Sequence, residues 1–151
     1  MSDYEFTISL RIRHPGIEPS EITSALGIEP QHMWKCGDSR LGSTGESLEG
    51  TYRESYWMGR LMDEPQLSSE PVSVEGVLLH TLRQLGRSQD FLSRLSDSGG
   101  VTELHISMFA RRNFQLELSP QALTLLSRLG LGMVLEVNLH PARAKSVPSQ
   151  N

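Results

Sequence analysis

The 151-residue sequence has a single cysteine, Cys36. No internal disulfide can form, and no cage of cysteine thiolates can hold zinc. No apolar run approaches the ~18 residues that a membrane span needs, and the opening Met1-Ser2-Asp3-Tyr4-Glu5 lacks the basic start and apolar stretch of a secretory leader. A basic surplus is missing too. The formal net charge is −4, which argues against a nucleic-acid binder. Gly42-Ser43-Thr44-Gly45 lacks the lysine and the helix start of a phosphate loop, and no Gly-x-Ser-x-Gly nucleophile elbow occurs. The histidines, at 14, 32, 80, 105 and 140, form no HxH, HxxH or HExxH spacing. These absences predict a cytoplasmic protein that meets neither membrane nor nucleic acid, with no metal, no cofactor and no nominated catalytic residue.

With 37% hydrophobic and 21% charged residues, the chain has the composition of a folded globular domain. Tyr4 to Arg13 alternates Phe6, Ile8, Leu10 and Ile12 with Thr7, Ser9, Arg11 and Arg13, the period of a strand with one apolar face. Pro19 opens a short helix carrying Ile22, Ala25 and Leu26, and Gly27 stops it. Glu29 to Gly50 has little periodicity and is expected to be a long loop, a feature that is usually functional in a compact domain. Thr51 to Leu61 reads as a second strand and Met62 to Pro71 as a polar linker. Ser73 caps a helix with Val74, Val77, Leu78, Leu82 and Leu85 on one face; Gly86 breaks it, and Ser88 caps a further turn with Phe91, Leu92 and Leu95. A third strand covers Thr102 to Ala110. Ser119-Pro120 starts a helix with Ala122, Leu123, Leu126 and Leu129, and Met133 to Leu139 alternates as a last strand.

The two ends of the chain echo one another. Phe6 to Leu10, Glu18-Pro19-Ser20-Glu21-Ile22 and Leu26-Gly27-Ile28 parallel Leu104 to Met108, Leu118-Ser119-Pro120-Gln121-Ala122 and Leu129-Gly130-Leu131. Each half reads strand, proline-initiated helix, glycine stop, strand. The fold expected is α+β: a four-stranded, mostly antiparallel sheet with helices on one face, built from two βαβ-like halves, with a ferredoxin-like sandwich as one form of it. Phe6, Ile8, Leu10, Ile12, Leu104, Ile106, Met108, Leu135 and Val137 should face helices carrying Leu26, Leu82 and Leu126. One domain is expected over 1–140, followed by a disordered tail over 141–151.

Several of these residues together carry a resemblance. Glu18-Pro19-Ser20-Glu21-Ile22-Thr23-Ser24-Ala25-Leu26-Gly27-Ile28-Glu29-Pro30 is followed by Lys35-Cys36-Gly37-Asp38, the Trp57 strand, the Leu78 to Leu95 helical stretch and the closing Leu118-Ser119-Pro120 and Leu129-Gly130-Leu131. In this order they resemble the bacterial family called domain of unknown function 4279, over about residues 4 to 139. Glu18 departs from it, since the family tends to have Asp there, a better helix cap. The resemblance implies a bacterial origin and a compact α+β fold, and no activity.

The densest group of chemically rich side chains lies between His32 and Trp57. Trp34, Lys35, Asp38, Arg40, Tyr52, Arg53 and Glu54 are the candidate binding residues, because aromatic and arginine side chains together are what recognition surfaces use. The expectation is that the His32 to Arg40 loop folds back beside the Tyr52–Trp57 strand, with Trp34 supplying contact area and Arg40 or Arg53 directed hydrogen bonds. The competing reading makes Trp34 a plug for the core, Trp57 a core residue and Asp38 a turn residue. Cys36, beside Lys35, is an ordinary loop thiol unless a base stands next to it. Three functions fit: a non-catalytic protein-binding module of the immunity or antitoxin kind, which is favoured; a small-ligand-binding regulatory domain; and an enzyme, which no motif supports.

Overall fold

The computed structural model describes residues 4–62, 66–67 and 73–139. The expected tail, 141–151, and most of the expected linker lie outside the described residues. Strands β1 (Tyr4–His14), β2 (Pro30–Trp34), β5 (Ser55–Arg60), β7 (Val101–Ala110) and β8 (Leu131–Leu139) form one sheet in the order β2-β5-β1-β7-β8, and the two-residue β6 (Gln66–Leu67) pairs with the start of β1. A separate hairpin joins β3 (Ser39–Leu41) to β4 (Ser47–Thr51). The helices are α1 (Pro19–Leu26), α2 (Val74–Leu85), α3 (Gln89–Asp97) and α4 (Pro120–Arg128).

The architecture is thus α+β with a mixed sheet. Four strands were expected and five stand side by side, because β2 arises within the stretch read as a loop. β1 runs antiparallel to β5 and β7, and β5 antiparallel to β2, while β7 and β8 are parallel. These directions also redraw the halves. β1-α1-β2 encloses β5, and β5-α2-α3-β7 encloses β1. Two interlocked split βαβ units in the order β7-β1-β5-β2 have the ferredoxin-like connectivity. The echo noticed in sequence, β7-α4-β8, is an adjacent βαβ unit added outside that set.

Phe6, Ile8, Leu10 and Ile12 are fully buried, as are Leu104, Ile106 and Met108 of β7 and Trp57 of β5. The helices cover this face with Ile22, Leu78, Leu82, Leu92, Leu95 and Leu126, while Leu26 is only partly buried. Two expected core positions differ. Leu135 and Val137 lie on the helix side, in register with Ile106 and Met108, yet both are exposed. β8 is the sheet's edge, and the helix layer ends before it covers the second half of that strand.

Local signals explain most boundaries. Ser73 Oγ accepts from the Gly76 N–H and Ser119 Oγ from the Ala122 N–H, two side-chain caps. Gly27 takes a left-handed φ of 67° and donates its N–H to the Thr23 carbonyl, closing α1. Gly86 does not stop its helix: it keeps right-handed helical angles, and a 3-10 turn over Gly86–Ser88 leads straight into α3. Ser88 makes no side-chain cap bond, contrary to expectation, since no free helix start exists there. The Thr51 to Leu61 strand is also interrupted. Tyr52, Arg53 and Glu54 form a bend between β4 and β5.

Candidate functional site

The sequence between β2 and β5 builds one connected region. β2 lies antiparallel on β5, with Trp34 opposite Tyr56 and Met33 opposite Trp57. Because side chains alternate along a strand, Trp34 and Tyr56 share the sheet face that carries no helices, while Trp57 points into the core. The helix-free face also takes Arg13, opposite Tyr56, and Arg11, opposite Met58. Trp57 is fully buried, and its indole Nε1 donates to Thr23 Oγ1 of α1 at 3.0 Å. Gly59 makes room for that indole: a Cβ there would sit 2.6 Å from the ring's Cη2.

Trp34 is the centre of an aromatic group. Its ring is nearly parallel to those of Tyr52 and Tyr56, with centroids 4.2 and 4.5 Å away and interplanar angles of 13° and 21°. Offset stacking at these separations adds directional attraction to simple burial. Trp34 is half-buried, so it neither plugs the core nor stands free.

Lys35 to Asp38 forms a tight turn. The Asp38 N–H donates to the Lys35 carbonyl, the Lys35 N–H donates to Asp38 Oδ2 at 2.9 Å, and Gly37 takes φ 92° at the third position, where a type II turn requires it. Asp38 is therefore a turn residue. Lys35 Nζ pairs with Glu18 Oε2 at 2.9 Å, and that carboxylate, through its hydrogen bond and its charge, raises the Lys35 pKa. Here the departure at Glu18 has a structural counterpart: its side chain makes no helix-cap bond and ties the start of α1 to the turn. Cys36 donates its thiol hydrogen to the Arg53 carbonyl, and its N–H donates to the buried Ser55 Oγ.

Beyond this turn the chain leaves the body of the domain. The Gly37 N–H donates to the Tyr52 carbonyl and the Tyr52 N–H to the Asp38 carbonyl, and these two bonds close the base of the β3–β4 hairpin. The Leu41 N–H also donates to the Tyr52 hydroxyl. From Asp38 to Thr51 every residue is exposed except Gly42, including Arg40, Leu41 and Leu48. At the tip, the Gly45 N–H donates to the Gly42 carbonyl, while the Thr44 N–H and hydroxyl both donate to Glu46 Oε2. Those Thr44 bonds hold the Glu46 pKa below its usual value.

The structure therefore brings Trp34 and Tyr52 together and places Arg53 and Glu54 on the exposed bend beside them. It puts Arg40 out on the hairpin, and gives Lys35 and Asp38 local partners. Sequence reasoning missed Tyr56, although its place next to a buried Trp57 on a strand assigns it to the opposite face. It missed Leu41 and Leu48 because their segment was read as a loop; Gly42 and Gly45 between them carry a hairpin signal. Also missed is a cleft of about 800 Å³ between the ends of α1, α2 and β5, lined by Ile28, Arg60, Thr81, Gln84, Leu85 and Arg87. Among the described residues no cluster of three or more His, Cys, Asp or Glu is arranged to hold a metal, and no helix is long and apolar enough to cross a membrane.

A helix-backed sheet carrying a projecting hairpin defines this protein as an α+β sandwich with an arm. The chain belongs to the family described as Domain of unknown function (DUF4279), whose model matches residues 4–140. No curated protein and no solved structure matches it.

Proposed function

We propose that this domain is a non-catalytic protein-binding module whose recognition surface joins the β3–β4 arm to the Trp34, Tyr52 and Tyr56 rings. The observation that carries this reading is the arm's exposure: a two-stranded hairpin presents Arg40, Leu41 and Leu48 with almost nothing of the domain packed against it. An isolated hairpin is marginal in water, so apolar side chains held there gain most when a partner covers them. The aromatic group gives the base of the arm a rigid footing, and Arg40, Arg53 and Glu54 supply both signs of charge around it. In its specific form the reading is that of a bacterial, cytoplasmic protein of the immunity or antitoxin kind, which neutralises a partner by occupying it. The test is to replace residues 39–51 by an Asn-Gly turn between Asp38 and Tyr52. The shortened chain should keep its melting temperature and lose a partner that the intact chain recovers stoichiometrically from its native cell. Equal recovery by both chains refutes the reading.

The cleft favours a second reading, a small-ligand-binding regulatory domain. Thr81 is only 4% exposed and lines the cleft, where its hydroxyl is one of the polar groups set into the wall. With Arg60 and Arg87 at the rim, the cleft suits a small anion with an apolar body. A rise in melting temperature with one carboxylate from a metabolite panel, abolished by Thr81→Val, supports this reading.

A further inference from the structure

The two edges of the sheet differ in a way that bears on assembly. β2 is five residues long and opens on Pro30, which has no N–H to offer a neighbour. Its register with β5 breaks between Pro30 and His32, and the chain turns away at Lys35. Shortness, proline and a bulge are how natural sheets discourage edge pairing. β8 has none of them. It runs nine residues in unbroken register with β7, from Thr102↔Leu131 to Ala110↔Leu139, and Glu136 is its one charged side chain. On its helix-side face Leu135, Val137 and Leu139 are 40%, 43% and 78% exposed, and Leu123 of the neighbouring α4 is 51% exposed.

We propose that β8 pairs antiparallel with β8 of a second copy of this chain, about a two-fold axis through Val137, joining two sheets into one. The registers open to such a symmetric pair are not equivalent. With the axis at Val137, that residue meets its own copy, Leu135 meets Leu139, and Glu136 meets Asn138, whose amide already donates to Glu136 Oε1 within one chain at 3.4 Å. Moving the axis to Glu136 sets two carboxylates face to face, which is unfavourable across a sheet. Moving it to Leu135 puts Glu136 against Val134. A two-fold perpendicular to the sheet keeps both helix layers on one side, so the exposed leucines and valines of the two copies form a continuous apolar seam. The arm lies beyond the opposite edge of the sheet and stays free.

The full-length chain at about 100 μM, where an ordinary interface is well occupied, should show by light scattering twice the 16.9 kDa of one chain. Val137→Lys should return it to a single chain's mass with its circular dichroism unchanged. In a Cys36→Ser background, Val137→Cys should cross-link under mild oxidation and Gly132→Cys should not, because only the first places two thiols opposite each other. The cross-linking pair keeps the proposal testable if Val137→Lys does not fold. A monomeric wild type, a dimer that survives Val137→Lys, or cross-linking by Gly132→Cys overturns it. So does a wild-type monomer that dimerises once residues 141–151 are removed, since the chain's own C-terminal segment then covers the edge.

Discussion

The Trp57 indole and the Thr23 hydroxyl meet at 3.0 Å, joining β5 to the covering α1 through a side-chain hydrogen bond. Thr23→Val preserves the shape of the side chain and removes the acceptor. A buried N–H left without a partner costs ~1–3 kcal/mol. The melting transition should fall accordingly, and Thr23→Ser should restore most of the loss. A Thr23→Val protein as stable as the parent would show that the bond contributes nothing net.

Gly59 sets a second constraint on the same tryptophan. A methyl group there would stand 2.6 Å from Trp57 Cη2 and 3.0 Å from Ile28 Cγ2. Gly59→Ala should therefore destabilise by ~1–3 kcal/mol through overpacking, measured by urea denaturation. The same exchange at Gly86, where nothing lies within reach and the backbone is right-handed helical, should be neutral or stabilising.

Leu126 and Leu135 should respond differently to truncation although sequence assigns both to the core. Leu126 is buried in the helix layer and Leu135 is exposed on the edge strand. Leu126→Ala should cost ~2–5 kcal/mol, and Leu135→Ala less than ~1 kcal/mol in the monomer. Similar losses at both sites would mean that the edge is covered.

The arm and its aromatic base separate stability from binding. Trp34→Ala removes two stacked contacts, each worth ~0.5–1.5 kcal/mol beyond burial, and should lower stability without unfolding the domain. Arg40→Ala and Arg53→Ala should change stability by less than ~0.5 kcal/mol and weaken partner binding. If Trp34→Ala unfolds the chain while both arginine variants bind normally, the region is structural and the recognition reading fails.

His105 should make stability depend on pH. It sits on the helix-free face, opposite Ser9 of β1 and Val134 of β8. Desolvation first, and then the charge of Arg11, lower its pKa, against weaker opposing effects of Glu103 and Glu136. A folded-state pKa below the unfolded value of ~6.5 means that the unfolded chain binds the proton more readily. The stability linked to His105 is thus present above that pH and is lost as pH falls through the folded pKa. Between pH 7 and pH 5 the melting temperature should drop more for the parent than for His105→Gln; equal slopes would remove His105 from the account.

Strands with one apolar face and helices with a capping residue were legible, because each signal sits inside a few consecutive residues. Phe6 to Ile12, Leu104 to Met108, Ser73 and Ser119-Pro120 all lie where their patterns put them. β2 was not legible. Gln31, His32 and Met33 are exposed on an edge and carry no alternation of burial, and their pairing partner lies more than twenty residues away. Both echoed units, β1-α1-β2 and β7-α4-β8, are present, but the insertion of β5 between β1 and β2 is likewise a property of long-range pairing, so the echo did not show that only the first unit belongs to the ferredoxin-like set. At the candidate site, composition singled out the stretch that the fold turns into the Lys35–Asp38 turn, the arm and the aromatic group. It could not divide Lys35 and Asp38, which have local partners, from Arg40 and Arg53, whose side chains have none among the described residues.

Two backbone hydrogen bonds join Gly37 and Asp38 to Tyr52, so the chain leaves the sandwich and returns to it at nearly the same point. The thirteen residues from Ser39 to Thr51 therefore form a detachable loop in the topological sense. Their length and side chains can vary without displacing a strand of the main sheet or opening its core. Such a layout lets one scaffold carry many different tips at little cost to folding.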